Sequence, residues 1–180
     1  EYAKFINPSA TDLILTNRIR TSKIRNIFAI DTNFNSALNH IFQKPRIYSQ
    51  ATSFIEGIKK TNPDRNSNCL FIDFHGDHIQ IACLKKSELV LYNILECINA
   101  DEFNYYLLNT IDSLDLDVTL TKLIMSGDVT SGDDEYYRRI LKYFKAPAFA
   151  DSRLIVNHPE LFNNVSPHTY FSLISLDECE

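Results

Sequence analysis

Glycine is scarce in this chain, with four among 180 residues, and tryptophan is absent. So few glycines leave few places where the backbone can approach a ligand closely. Long apolar runs are missing too: no segment approaches the roughly 18 continuous apolar residues of a membrane span, so none is expected. Runs of one charge are also lacking. The 18 Lys and Arg are scattered and the formal charge is −5, which argues against a nucleic-acid surface with its basic face. Cys69, Cys83, Cys97 and Cys179 form no Cys-x-x-Cys pair, which argues against a thiolate zinc site. They read as reduced core cysteines of a cytoplasmic protein. No Ser or Cys stands in a nucleophile elbow. No signal peptide is visible, and because residue 1 is Glu the natural start is expected to be absent.

What is present is an ordinary globular composition, 44% apolar and 23% charged, in a chain long enough to bury a real core. Residues 1–25 suggest an extended segment and a short helix near Ala10–Asn17. Ile27–Ile30 reads as a short buried strand, and Phe34, Ala37, Leu38, Ile41 and Phe42 follow at helical spacing. Pro45 ends that helix. Arg46–Tyr48 is a candidate strand, and Ala51, Phe54, Ile55 and Ile58 mark a second amphipathic helix. This gives strand–helix–strand–helix, an α/β pattern. The polar stretch TNPDRNSN, residues 61–68, is the clearest linker, so subdomains are expected at 1–62 and 63–180.

The block from Cys69 to Asp128 carries most of the information. Its strands near 69–75, 78–85 and 88–96 are joined by turns so short, at Gly76-Asp77 and Lys86-Ser87, that they must form an antiparallel meander. Ile79, Ile81 and Cys83 face one way, and Gln80, Ala82 and Leu84 the other. Asn99 with Glu102 predicts a capped helix, whose Phe103, Tyr106, Leu107, Thr110, Ile111 and Leu114 share a face. A strand over Lys122–Ser126 follows, then a helix capped by Ser131 or Asp133 with Tyr137, Ile140, Leu141 and Phe144 inward. KAPAFAD is a last strand, and residues 158–176 hold one or two helices.

The order β-β-β-α-β-α-β-α from Cys69 onward resembles the second half of the actin-like ATPase superfamily, an α/β fold of ribonuclease H-like type. The residues that carry this are FIDFHGDHIQIACLKKSELVLYNILE, ADEFNYYLLNTIDSLDLD, KLIMSGDV, YYRRILKYF and HTYFSLISLDECE. The bacterial branch around FtsA and PilM is similar. More narrowly, the chain resembles an uncharacterised bacterial family with a degenerate actin-like fold, whose beginning would be missing here. Relatives with a working site carry Asp-x-Gly in the first hairpin of each half, where a tight turn points backbone N–H groups at nucleotide phosphates. Asp73 matches that Asp, but the glycine falls one residue late, at Gly76. Asp77 sits where a phosphate-facing Thr or Gly is usual, and a carboxylate there repels phosphate unless a metal intervenes. Gly127 matches the glycine near the adenosine, with Asp128 where a second Gly is common. The resemblance thus implies Asp73, Gly76, Asp77, Gly127 and Asp128 as the nucleotide-binding candidates, with ATP and Mg as the ligand if the site works.

Other chemistries compete for the same residues. Asp73, His75, Asp77 and His78 resemble the metallo-β-lactamase motif His-x-His-x-Asp-His, with Asp for the first His, so His75, Asp77 and His78 are the alternative metal ligands for Zn or Fe. That motif normally opens a helix, whereas IQIACLK alternates like a strand. Gly-Asp is ordinary turn chemistry, so a solvated hairpin turn is the plain reading. Tyr105-Tyr106 and Tyr136-Tyr137 could stack on bases, but at helical spacing one of each pair packs inward and its neighbour lies at the rim. Asp112, Asp115 and Asp117 lack the EF-hand glycine and terminal Glu. The reading is a non-catalytic actin-like domain that works through an unidentified protein partner, without a cofactor. The alternatives are an ATP-binding switch and a metal-dependent hydrolase.

Overall fold

In the computed structural model, the described residues are 7–20, 22–62, 64, 66–162 and 164–179. Two strands, β1 (Asp12–Arg18) and β2 (Arg25–Asp31), form a small antiparallel sheet of their own. The helix expected near Ala10–Asn17 is therefore mostly strand. Leu13–Thr16 lie opposite Ile27–Ile30 in unbroken register, and a paired neighbour of that kind outweighs a weak local helix preference. The extended segment expected before it falls largely on residues 1–6, outside the described residues.

Helix α1 (Thr32–Ile41) starts where the Asp31 carboxylate accepts the Phe34 N–H at 3.0 Å, and none of its residues is buried. The strand expected at Arg46–Tyr48 does not form. An asparagine takes the place of a partner strand there: the Asn17 amide donates to the Ile47 carbonyl at 3.0 Å and accepts the Ser49 N–H at 2.9 Å. This satisfies backbone groups that would otherwise need a ladder. Helix α2 (Gln50–Thr61) follows, capped by Ser49, with Phe54 and Ile58 fully buried. The N-terminal part thus runs strand, strand, helix, helix.

The centre of the molecule is a five-stranded mixed sheet of order β5-β4-β3-β6-β7. Strands β3 (Asn68–His75), β4 (His78–Lys85) and β5 (Glu88–Glu96) make the expected antiparallel meander. Helix α3 (Ala100–Ser113) crosses back, so that β6 (Thr121–Gly127) pairs with β3 in parallel. Asn99 caps α3 by accepting the Asp101 and Glu102 N–H groups, while Glu102 accepts the Ile98 N–H at 2.8 Å. The next cap is neither Ser131 nor Asp133. Asp134 opens α4 (Glu135–Ile140) by accepting the Tyr137 N–H at 3.1 Å. The two-residue strand β7 (Ala148–Phe149) lies parallel to β6, and α5 (Phe171–Ile174) is a single turn near the C-terminus.

The sheet is covered on both faces, which is why β3 and β4 read as near-continuous apolar runs. Leu70, Ile72, Phe74, Ile79 and Ile81 meet Phe103 and Leu107 of α3 and Ile140 and Phe144 on one face. Cys69, Phe71, Ala82 and Leu84 meet Phe54 and Ile58 of α2 and Phe171 of α5 on the other. Helix α2 precedes the boundary expected at residue 62, yet it packs on this sheet. All four cysteines are buried free thiols. The α/β class and the β-β-β-α-β-α-β-α order of the second half stand as expected.

Candidate functional site

A charge in the middle of a strand buried on both faces costs several kcal/mol unless it is fully compensated. β3 holds such a charge: Asp73 is 0% exposed. Strand register supplies the first partners. Asp73 lies opposite Gln80 on β4 and opposite Ser126 on β6, so the three side chains share one row on the α2/α5 face. The Ser126 hydroxyl donates to Oδ1 at 2.7 Å, and the Gln80 amide donates to Oδ2 at 3.2 Å. Ser172, on α5, donates to Oδ2 from above the sheet. The fourth partner is His75, whose Nε2 lies 2.6 Å from Oδ2. Tyr92 on β5 donates to the Gln80 carbonyl oxygen at 2.7 Å, which fixes the amide with its NH2 toward Asp73. Four donors reach this carboxylate, one at Oδ1 and three at Oδ2.

His75 is the exit of this network. Its side chain is 35% exposed, and it borders a 280 Å³ cleft lined by Tyr48, Gln50, Ser53, Ser172, Leu173 and Leu176. The hydrogen bond with Asp73 pushes its pKa up; burial opposes that, and the charges of Asp73 and Asp128 add to it. An imidazole oriented in this way can hold or pass a proton at the cleft.

The other expected site residues divide clearly. Gly76 forms the β3–β4 turn at φ +54°, with open space where a Cβ would point. Asp77 and His78 are exposed at the same turn and pair with each other at 2.5 Å, which pulls the Asp77 carboxyl below its ordinary value. His75 and His78 thus turn to different carboxylates. No three metal-ligating side chains converge among the described residues.

Gly127 sits at φ +80°, and a Cβ there would lie 2.0 Å from the Phe74 carbonyl oxygen. Its N–H donates to the His168 carbonyl at 3.0 Å, and the Asp128 N–H donates to the Phe74 carbonyl at 2.9 Å. The close approach that needs this glycine is to β3 itself. Asp128 is exposed near His75. The structure therefore gathers Asp73, His75, Gly127 and Asp128 at the strand ends and leaves Gly76, Asp77 and His78 at the turn.

Gln80, Tyr92, Ser126 and Ser172 were not singled out from sequence as site residues. The first was within reach: a two-residue turn at Gly76-Asp77 pairs His75 with His78, and hence Asp73 with Gln80. Ser172 lies 99 residues from Asp73, and no local pattern announces it.

Residues 1–146 match the family described as a protein of unknown function, DUF3822. The chain belongs to that family. Among solved structures it is similar to a Bacteroides thetaiotaomicron protein described as having an actin-like ATPase fold and unknown function, at 22% identity and a TM-score of 0.78. The match covers 99% of this chain and 63% of the other. This member of the family therefore has the actin-like ATPase fold, and spans about two thirds of that structural neighbour. Comparison with curated proteins found no match. No helix among the described residues is long and apolar enough to cross a membrane.

Proposed function

We propose that this chain is a non-catalytic actin-like domain that acts through contact with a protein partner. The observation that carries the reading is the state of Asp73. The carboxylate that should approach a metal-bound phosphate in this fold is enclosed and bonded by Ser126, Ser172, Gln80 and His75. Mg²⁺ is usually held through one or two carboxylates together with substrate phosphates, whereas Asp73 is 0% exposed and both of its oxygens already accept hydrogen bonds. Asp77 adds negative charge at the turn position where the resemblance puts a phosphate-facing Thr or Gly. The residues present therefore do not fit Mg-ATP.

The α1 region supports a protein contact. Phe34, Ile41 and Phe42 of the α1 region are 57%, 69% and 55% exposed, and a cluster of large apolar side chains in water favours association. Four buried free thiols favour a reducing compartment such as the cytoplasm. Calorimetric titration with Mg-ATP, alongside metal analysis of the purified protein, tests the non-catalytic half. The expected result is no saturable heat up to about 1 mM ligand, which corresponds to less than about 4 kcal/mol of binding. Micromolar ATP affinity, or stoichiometric zinc or iron lost in His78→Ala, would overturn it. For the contact half, in-cell crosslinking should yield a protein adduct that Phe34→Asp with Phe42→Asp abolishes; an adduct unchanged by both would contradict it.

A further inference from the structure

The two edges of the five-stranded sheet are built differently. β7 closes one edge with only two residues, too short to template another strand. β5 forms the other edge with nine residues, and no described strand pairs with its outer side. Between Glu88 and Glu96 it carries no charged side chain and no proline, the devices that commonly blunt such an edge. A bulge blunts its first part: Cys83 lies opposite Leu91 and Leu84 opposite Leu89, so Val90 has no partner. The regular part of the open edge is residues 91–96.

Hydrogen bonding shows which backbone groups of this segment face outward. The Cys97 N–H, just past the strand, donates to the Asp77 carbonyl at 2.7 Å, on the β4 side. Antiparallel alternation then turns the N–H and C=O groups of Tyr92, Ile94 and Glu96 away from β4. Ile94 agrees: its N–H donates to the side-chain oxygen of Asn93 at 2.9 Å. A neighbouring amide thus stands in for a missing strand, as the Asn17 amide does for Ile47. On the α3 face, the alternate residues Leu91, Asn93 and Leu95 line a 280 Å³ cleft together with Tyr106 and Leu114. Glu96, at the end of the segment, is exposed and forms no ion pair among the described residues.

We propose that β5 is a strand-addition site, where an extended segment of a partner protein pairs antiparallel with residues 91–96. A row of outward backbone donors and acceptors is matched in full by another strand, and pockets for alternate side chains then set which strand. Incoming residues opposite Leu91, Asn93 and Leu95 share their face and project over the cleft, whose leucines and tyrosine suit apolar side chains. The position opposite Glu96 suits Lys or Arg, since opposite charges across a strand pair are favourable. A second copy of this chain lacks that match. Self-pairing centred on Tyr92 sets Glu96 against Glu88, and self-pairing of residues 91–96 sets it against Leu91. This surface is separate from α1 and goes beyond the contact proposed there.

The test is an amide NMR titration of the 180-residue chain with the end-blocked peptide Lys-Val-Thr-Leu-Thr-Val, which sets its Lys opposite Glu96 and its Leu opposite Asn93. A twin methylated at both Thr nitrogens keeps the side chains and loses the donors that face β5. Saturable shifts at the Ile94 and Glu96 amides are expected with the first peptide and not with its twin. Ile94→Pro removes one outward N–H at a position where an edge strand tolerates proline. It should weaken binding about fivefold, the effect of one hydrogen bond. Glu96→Lys should weaken it about threefold, and a peptide that begins with Glu should recover the loss. Phe34→Asp with Phe42→Asp should leave the response unchanged, which tells this site apart from the α1 contact. Absence of saturable shifts, an equal response to the methylated twin, or affinity unchanged in both β5 variants would overturn the proposal. So would a response lost with the α1 variants, or self-association of the chain through β5.

Discussion

The central sheet and the N-terminal region of this chain treat polarity in opposite ways. The β3–β4–β6 row takes an acidic side chain into the centre of a buried sheet and surrounds it with donors from four elements. The β1–β2–α1 region does the reverse, keeping no buried residue on α1 and leaving Phe34, Ile41 and Phe42 largely in water. In the first region the polar groups are consumed internally and nothing is offered outward except one face of His75. In the second the apolar groups are offered outward and little is consumed. On the proposed reading, the enclosed carboxylate and the exposed apolar surface go with docking rather than phosphate chemistry.

The largest contrast should come from truncating phenylalanines in each region. Phe54→Ala, in the core between α2 and the sheet, should cost about 3–5 kcal/mol in urea unfolding. Phe34→Ala should cost no more than about 0.5 kcal/mol. A comparable loss for both would erase the distinction between a packed sheet and an open α1 face. Next in size are two glycines that look alike in sequence. Gly127→Ala forces a Cβ into the Phe74 backbone at a positive φ, and should cost about 3 kcal/mol or more by thermal or chemical denaturation. Gly76→Ala meets open space and carries only the left-handed penalty of about 1–2 kcal/mol. Equal effects would mean that Gly127 is not a packing glycine.

The smallest effect is a pH dependence. The folded pKa of His75 is raised, chiefly by its hydrogen bond with Asp73, so its contribution to stability is fully present below the unfolded value of about 6.5 and fades as pH rises through the folded value. Unfolding free energy should therefore fall modestly from pH 6 to 8, and His75→Gln should remove that slope. The half-exposed ring is screened by solvent, which keeps the effect small. Glu56, raised mainly by burial, has the same sign, but its contribution begins to fade at lower pH, above its unfolded value of 4.5, so the two are separable. A slope unchanged in His75→Gln would disconnect the imidazole from Asp73.

How much of this was legible depended on the range of each interaction. The meander, the α3 cap and the inward face of α3 follow from turn length, Asn99 with Glu102, and 3.6-residue spacing, all local signals. The parallel entry of β6 came with the actin-like order. β1 was missed because its seven residues take their conformation from β2 rather than from their own composition. Arg46–Tyr48 was read as a strand that does not form, because an asparagine from β1 answers its backbone instead of a partner strand. Asp73 was found as the chemical centre of the turn, while its condition was not. Whether a buried carboxylate is free or saturated depends on Ser126 and Ser172, which lie 53 and 99 residues away.

The most direct measurement is the urea unfolding free energy of Asp73→Asn against the native chain. The substitution keeps the shape but swaps one acceptor oxygen for an NH2 that faces hydroxyl and amide donors. If Asp73 is a structural hub, the variant loses about 2–3 kcal/mol. Carboxylates held in reserve for a ligand or metal generally relieve strain when neutralised, so a variant as stable as the native chain, or more so, would contradict the account.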